Sequence, residues 1–171
     1  MLLVWIAVGI LALFGFVVLR GAPYVPTKKR DLEQAFDELY PLNKTDVLVD
    51  IGSGDGVVLR QAAKRGAKAV GYELNPLLVL ISKLLARRYG SLITIRLVDF
   101  WLTRLPDDVT IVYTFGESRD IRKMYNKVVQ EATRLHKPIY FMSYGFAVPA
   151  VAPVAKNRVA YLYKASPLQP R

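Results

Sequence analysis

The chain has no cysteine and a single histidine, His136, among its 171 residues. Without thiols there can be no disulfide, no cysteine-ligated zinc and no sulfur nucleophile. His136 is followed by Lys137-Pro138 and reads as a helix-end residue favoured by the helix dipole, so histidine-dependent catalysis is not expected. Acids are scarce as well. Against 24 lysines and arginines stand 14 aspartates and glutamates, a net charge of +10 that suits anionic lipid or nucleic acid. Internal repeats and metal-ligand clusters are absent, and the tail over 166–171 is the one low-complexity stretch.

Charge is also missing from Leu2 to Leu19, where every position is apolar or glycine. As a helix this run rises about 27 Å, close to a hydrocarbon core of about 30 Å, and predicts a transmembrane anchor over residues 1–20. It lacks the basic start and the small-x-small site of a cleaved signal peptide. Arg20, Lys28, Lys29 and Arg30 follow it, which by the positive-inside rule places the rest on the cytoplasmic or mitochondrial matrix side of a single-pass membrane protein. Two prolines make Gly21 to Thr27 an extended linker, so residues 21–29 are read as linker and 30–165 as one domain.

The stretch around which the domain is organised is V-L-V-D-I-G-S-G-D-G, Val47 to Gly56. Apolar residues carrying an acid, Asp50, and then Gly52, Gly54 and Gly56 predict a buried strand turning tightly into a helix. Glycine permits positive φ and close approach of a ligand to the backbone, and the first N–H groups of the helix are free to donate. A second strand, Ala67 to Tyr72, ends at Glu73, where a β-α-β nucleotide site holds its ribose acid. Dinucleotide enzymes carry G-x-G-x-x-G and bring a pyrophosphate to this turn, which Asp50 and Asp55 would repel. S-adenosylmethionine (AdoMet) has no phosphate, and its ammonium and sulfonium are attracted by acids. The turn therefore reads as an AdoMet site formed by Asp50, Gly52, Ser53, Gly54, Asp55, Gly56 and Glu73.

Apolar spacing predicts an amphipathic helix from Lys28 to about Tyr40, with Thr27 able to cap it. Further helices are expected over 57–65, closed by Gly66, and from the cap Asn75-Pro76 to about Tyr89 with a basic edge of Lys83, Arg87 and Arg88. Strands are expected over 91–98 ending at Asp99, over 109–115, over 138–144, and over 157–163 as part of an edge hairpin, with a helix over 118–135. The short interval between Gly145 and Arg158 implies a minimal C-terminal lobe.

D-I-G-S-G-D-G, together with G-Y-E-L-N-P at Gly71 to Pro76, P-Y-V-P-T at Pro23 to Thr27 and D-F-W at Asp99 to Trp101, resembles the seven-strand protein-lysine methyltransferases that modify the mitochondrial adenine nucleotide translocase and the ATP synthase c subunit, and their prokaryotic relatives. The resemblance covers roughly 23–163. It implies an α/β, Rossmann-like class I AdoMet-dependent methyltransferase sheet, preceded here by the predicted transmembrane helix. It also implies that Tyr24 and Thr27 fold over the methionine end of AdoMet, that Leu74 and Asn75 join the cofactor site, that Asp99 bonds the adenine amino group, and that Phe100 or Trp101 lines the ring. The bland alternative for Asp99 is a strand-end acid capping a turn.

After the fourth strand, Tyr113-Thr114-Phe115-Gly116-Glu117 replaces the Asn/Asp-Pro-Pro-aromatic box with which amino methyltransferases of nucleic acids hold a planar base, so the residues speak against a nucleic-acid partner. Tyr113, Glu117 and Tyr144 are the candidates to line an acceptor channel. The expected partners are a membrane and a protein lysine, with no metal. A lipid or quinone methyltransferase and a non-enzymatic AdoMet-binding protein are the rivals; the latter is disfavoured by the joint presence of Asp50, Glu73 and Asp99.

Overall fold

A computed structural model describes residues 1, 4–5, 28–116 and 119–168. From residue 28 onward the chain opens with the helix α1 (Lys29–Glu38), which buries Leu32, Ala35 and Phe36 at helical spacing. A parallel run follows: β1 (Val47–Ile51), α2 (Val57–Lys64), β2 (Lys68–Glu73), α3 (Pro76–Ala86) and β3 (Ile93–Leu97). The second half is β4 (Ile111–Thr114), α4 (Ile121–Leu135), β5 (Ile139–Tyr144), the short β6 (Ala155–Lys156) and β7 (Ala160–Ala165).

The seven strands lie in the order β3-β2-β1-β4-β5-β7-β6. β1 pairs in parallel with both β2 and β4, while β7 runs antiparallel to β5 and to β6. Side chains of α1, α2 and α3 share one core layer with Leu48, Ile111 and Tyr113, and those of α4 share the opposite layer with Val49, Val112 and Phe141. Strand alternation produces this division, since successive residues point to opposite faces. All five residues of β1 are buried, as expected of a central parallel strand covered on both sides. The chain order reverses between β1 and β4, and at that switch point the C-terminal strand ends open a crevice.

Local signals set most of the boundaries. Asn75 caps α3, its Oδ1 accepting from the N–H groups of Leu77 and Leu78, with Pro76 at the first helical position. His136 ends α4 in the left-handed conformation, φ 51°, which agrees with its reading as a helix-end residue. The last strand begins later than the predicted Asn157, because Asn157 Oδ1 accepts from the N–H groups of Val159 and Ala160 and turns the chain there. α3 stops at Ala86 and continues as a 3-10 segment, Arg87–Leu92, in which Gly90 leaves helical geometry.

One expectation is overturned. Among the described residues no helix is long and apolar enough to cross a membrane, so the placement as a single-pass membrane protein is withdrawn, and with it the transmembrane part of the predicted architecture. Nearly all of Leu2 to Leu19 lies outside the described residues, as do the linker residues Tyr24 and Thr27.

Candidate functional site

The turn after β1 is built on three left-handed glycines, with φ 72° at Gly52, 54° at Gly54 and 79° at Gly56. A side chain at any of them would be strained. The N–H groups of Gly52 and Ser53 both donate to the Tyr72 carbonyl, at 2.9 and 3.1 Å, tying the turn to the end of β2. That tie needs a second close approach. A Cβ on Gly71 would lie 2.5 Å from Ser53 Oγ and 2.7 Å from Leu59 Cδ1, which is why a strand interior carries glycine here. Gly71→Ala should therefore destabilise the domain by about 1–3 kcal/mol through overpacking and weaken cofactor binding with it. Denaturant melts of the two proteins check this, and equal midpoints would rule it out.

Glu73 does more than wait for a ligand. Its Oε2 accepts from the Gly54 N–H at 2.8 Å, and its Oε1 accepts from the N–H groups of Leu74 and Asn75 at 2.9 and 2.8 Å. A carboxylate offers about four acceptor positions, so these three backbone donors leave one open within the described residues. Leu74 and Asn75 thus meet the Glu73 carboxylate through their backbone, and Leu74 also exposes its side chain.

Asp50 is only 2% exposed, and its carboxylate makes no hydrogen bond or ion pair within the described residues. Burial, then Glu73, then Asp55 push its carboxyl well above the usual carboxylate range. Asp55 differs, being paired with Arg60 at 3.1 Å and accepting from the Val57 N–H. Near Asp50 a Cβ on Gly52 would meet nothing within 4 Å, so the turn is open on its outer side. A buried acid without a partner beside an open glycine turn fits a cationic ligand such as the ammonium of AdoMet. Ser53 is buried with its hydroxyl unpartnered, so it contributes packing against Gly71.

Beyond β3, Asp99 Oδ1 accepts from the Trp101 N–H at 2.8 Å and caps the 3-10 turn Phe100–Leu102. The turn-capping role is therefore real at one oxygen, and the second makes no hydrogen bond within the described residues. Phe100 is buried and Trp101 half exposed, their ring centroids 5.2 Å apart. Lys127 on α4 clamps this turn from below: its ammonium donates to the carbonyls of Phe100 and Trp101 and stands 4.7 Å from the centroid of the Phe100 ring. Burial lowers its pKa. The sequence carried no signal for Lys127, one lysine among many on an amphipathic helix; Gly71 had one, a glycine inside a strand pattern.

At the far side of the switch point the three acceptor candidates separate. Tyr113 is 1% exposed and packs against Phe36 in the core. Tyr144, at the end of β5, is partly exposed, donates to Asp31 Oδ2 at 2.7 Å and stands edge-on to Phe115 at 4.7 Å. Burial first and Asp31 second push its phenol up to about 12. Glu117 lies outside the described residues.

An open glycine turn, an acid at the end of β2 and a sheet with one antiparallel strand at the penultimate position define a class I AdoMet-dependent methyltransferase domain. Residues 50–155 match the family described as the ANTKMT methyltransferase domain, and the chain belongs to that family. Among curated relatives, the lysine N-methyltransferase of the ATP synthase c subunit from Xenopus laevis is 47% identical over 68 residues, 40% of this chain and 29% of that protein. The adenine nucleotide translocase lysine N-methyltransferase of Mus musculus is 36% identical over 88 residues, 50% of this chain and 38% of that protein. The match thus spans well under half of either relative's length. Among solved structures, an RNA methyltransferase from Salinibacter ruber in complex with S-adenosyl-L-homocysteine superposes with a TM-score of 0.75 at 26% identity, over 85% of this chain and 97% of that one.

Proposed function

We propose that the domain is a protein-lysine N-methyltransferase whose acceptor is a membrane-associated protein, the kind of substrate named for its relatives, the ATP synthase c subunit and the adenine nucleotide translocase. When bound, AdoMet supplies an electrophilic methyl on a sulfonium. Asp50 holds its ammonium, Glu73 a ribose hydroxyl through the one acceptor position it has left, and Asp99 with Phe100 and Trp101 the adenine.

The observation that carries the lysine reading is the wall at the ends of β4 and β5, where Phe115, Tyr144 and Asp31 stand together. Aromatic faces and a carboxylate attract an ammonium. A lysine must lose a proton before it attacks, and its free pKa is about 10.4. Tyr144, held up to about 12, stays protonated at neutral pH and so orients rather than takes the proton. Desolvation between the aromatic wall and the sulfonium lowers the lysine's own pKa, and the proton then leaves to water. The chain's task is alignment of donor and acceptor.

A nucleic-acid acceptor is the second reading, favoured by the net charge of +10 and the likeness to the Salinibacter protein. Against it, Thr114-Phe115-Gly116 offers no proline-aromatic clamp for a base. Incubating the purified protein with isotope-labelled AdoMet and membranes, followed by mass spectrometry, should find methyl groups on lysine Nε of a membrane protein. Label confined to RNA or to extracted lipid would overturn the lysine assignment.

A further inference from the structure

α3 is turned the wrong way round for a helix that covers a sheet. Its inward stripe is small, Val79, Ser82 and Ala86. Its outward face carries Leu77, Leu80, Ile81, Leu84 and Leu85, exposed by between 38% and 66%. These five recur at i, i+3, i+4, i+7 and i+8, the spacing of a single helical face. Leu97, also exposed, lies on the same side of the sheet by the alternation of β3. A monomeric soluble surface rarely gathers so many large apolar side chains in one place.

The rim of this face is basic. Lys83 flanks it, and Arg87 and Arg88 follow at its C-terminal end, all three exposed. From Pro76 to Val98 the chain contains no acid, and none of the three bases pairs with a carboxylate within the described residues.

We propose that the outward face of α3 is a docking surface for an anionic lipid bilayer, lying in the plane of the headgroups with no part of α3 crossing them. Charge complementarity selects this occupant. A second copy of the chain would bring two sets of the same bases together with no acid between them. The chain's own apolar run, Leu2 to Leu19, could cover the leucines but carries no charge to answer the bases. An anionic bilayer does both: the leucines enter the headgroup boundary while the lysine and arginine side chains reach outward to the phosphates. The N-terminal end of the face lies at Leu77, four residues after Glu73, so docking would set one rim of the crevice toward the lipid. This surface does not depend on which acceptor the crevice takes.

The absence of cysteine gives a clean test. In the full-length protein, Leu84→Cys provides a unique thiol for an environment-sensitive fluorophore. Gln130→Cys, exposed on α4 across the sheet, provides the control. Vesicles of phosphatidylcholine mixed with phosphatidylglycerol should shift the Leu84 probe to the blue and let lipid-borne quenchers reach it, while vesicles of phosphatidylcholine alone do so weakly and the Gln130 probe stays in water. Paired Leu80→Asp and Leu84→Asp substitutions should weaken sedimentation with the anionic vesicles by about tenfold or more, and Lys83, Arg87 and Arg88 changed to glutamine should remove most of the dependence on anionic lipid. A Leu84 probe that remains in water with anionic vesicles overturns the proposal. So does a probe already in an apolar environment without lipid, whether concentration-dependent, as a second copy would make it, or concentration-independent, as the chain's own segment would.

Discussion

Glu73→Ala should lower AdoMet affinity by about two orders of magnitude or more. The reason exceeds the loss of a ribose contact. The carboxylate also accepts the N–H groups of Gly54, Leu74 and Asn75, and hydrogen bonds to a charged group contribute about 1.5–3 kcal/mol each. Without them the glycine turn is left with the bonds of Gly52 and Ser53 to the Tyr72 carbonyl and loses the one from Gly54, just where the ligand approaches. Since about 1.4 kcal/mol is tenfold in affinity, the ribose bond and even one turn bond together reach a hundredfold. Glu73→Gln should fall between, because its amide must turn an N–H toward either Gly54 or the Leu74 and Asn75 pair. Titration calorimetry with AdoMet on the folded variants decides it. A Kd within about threefold of the native value in Glu73→Ala would remove Glu73 from the site.

Asp50→Asn should divide binding from stability. In the ligand-free fold the Asp50 carboxyl is held above the usual carboxylate range by burial and by Glu73 and Asp55, so the folded state keeps a proton that the unfolded chain releases. The stability this group contributes is complete below the ordinary carboxylate range and is lost as pH rises through its raised pKa. At neutral pH the asparagine domain should therefore be at least as stable as the native one. AdoMet affinity should nonetheless drop about tenfold or more, since the ammonium loses its charged partner. The native protein should also gain affinity with rising pH through the Asp50 titration, a component missing from the variant; titration of AdoMet itself is common to both proteins and cancels. Reduced stability with unchanged affinity would make Asp50 structural and return the ammonium to another group.

The cofactor half was legible because its geometry demands particular residues. Positive φ at three positions calls for glycine, an asparagine with a following proline marks the start of α3, and a lone acid in a buried strand has few explanations other than a cation. What escaped the sequence depends on distance or on facing. Tyr113 and Tyr144 look alike near strand ends and share one face of the sheet, yet Tyr113 lies inside β4 beneath Phe36 in the core, whereas Tyr144, the last residue of β5, reaches past it to Phe115 and Asp31. The hold of Lys127 on the Phe100 turn joins residues 27 apart, and no local spacing announces it. In α3, apolar on nearly every side, the residues do not reveal which face meets the sheet; only the small size of Val79, Ser82 and Ala86, beside bulkier neighbours, hints at it.

The position of β7 bears on how the chain is made. This last strand lies between β5 and β6, with Ala160, Leu162, Tyr163 and Ala165 buried. During synthesis the glycine turn and its flanking strands emerge first and can assemble from neighbours close in sequence, whereas β5 keeps a bare hydrogen-bonding edge until Ala160–Ala165 leave the ribosome. Such an edge is a template for strands of other chains. A ribosome stalled before residue 160 would hold a nearly complete cofactor turn on a sheet still open to mispairing.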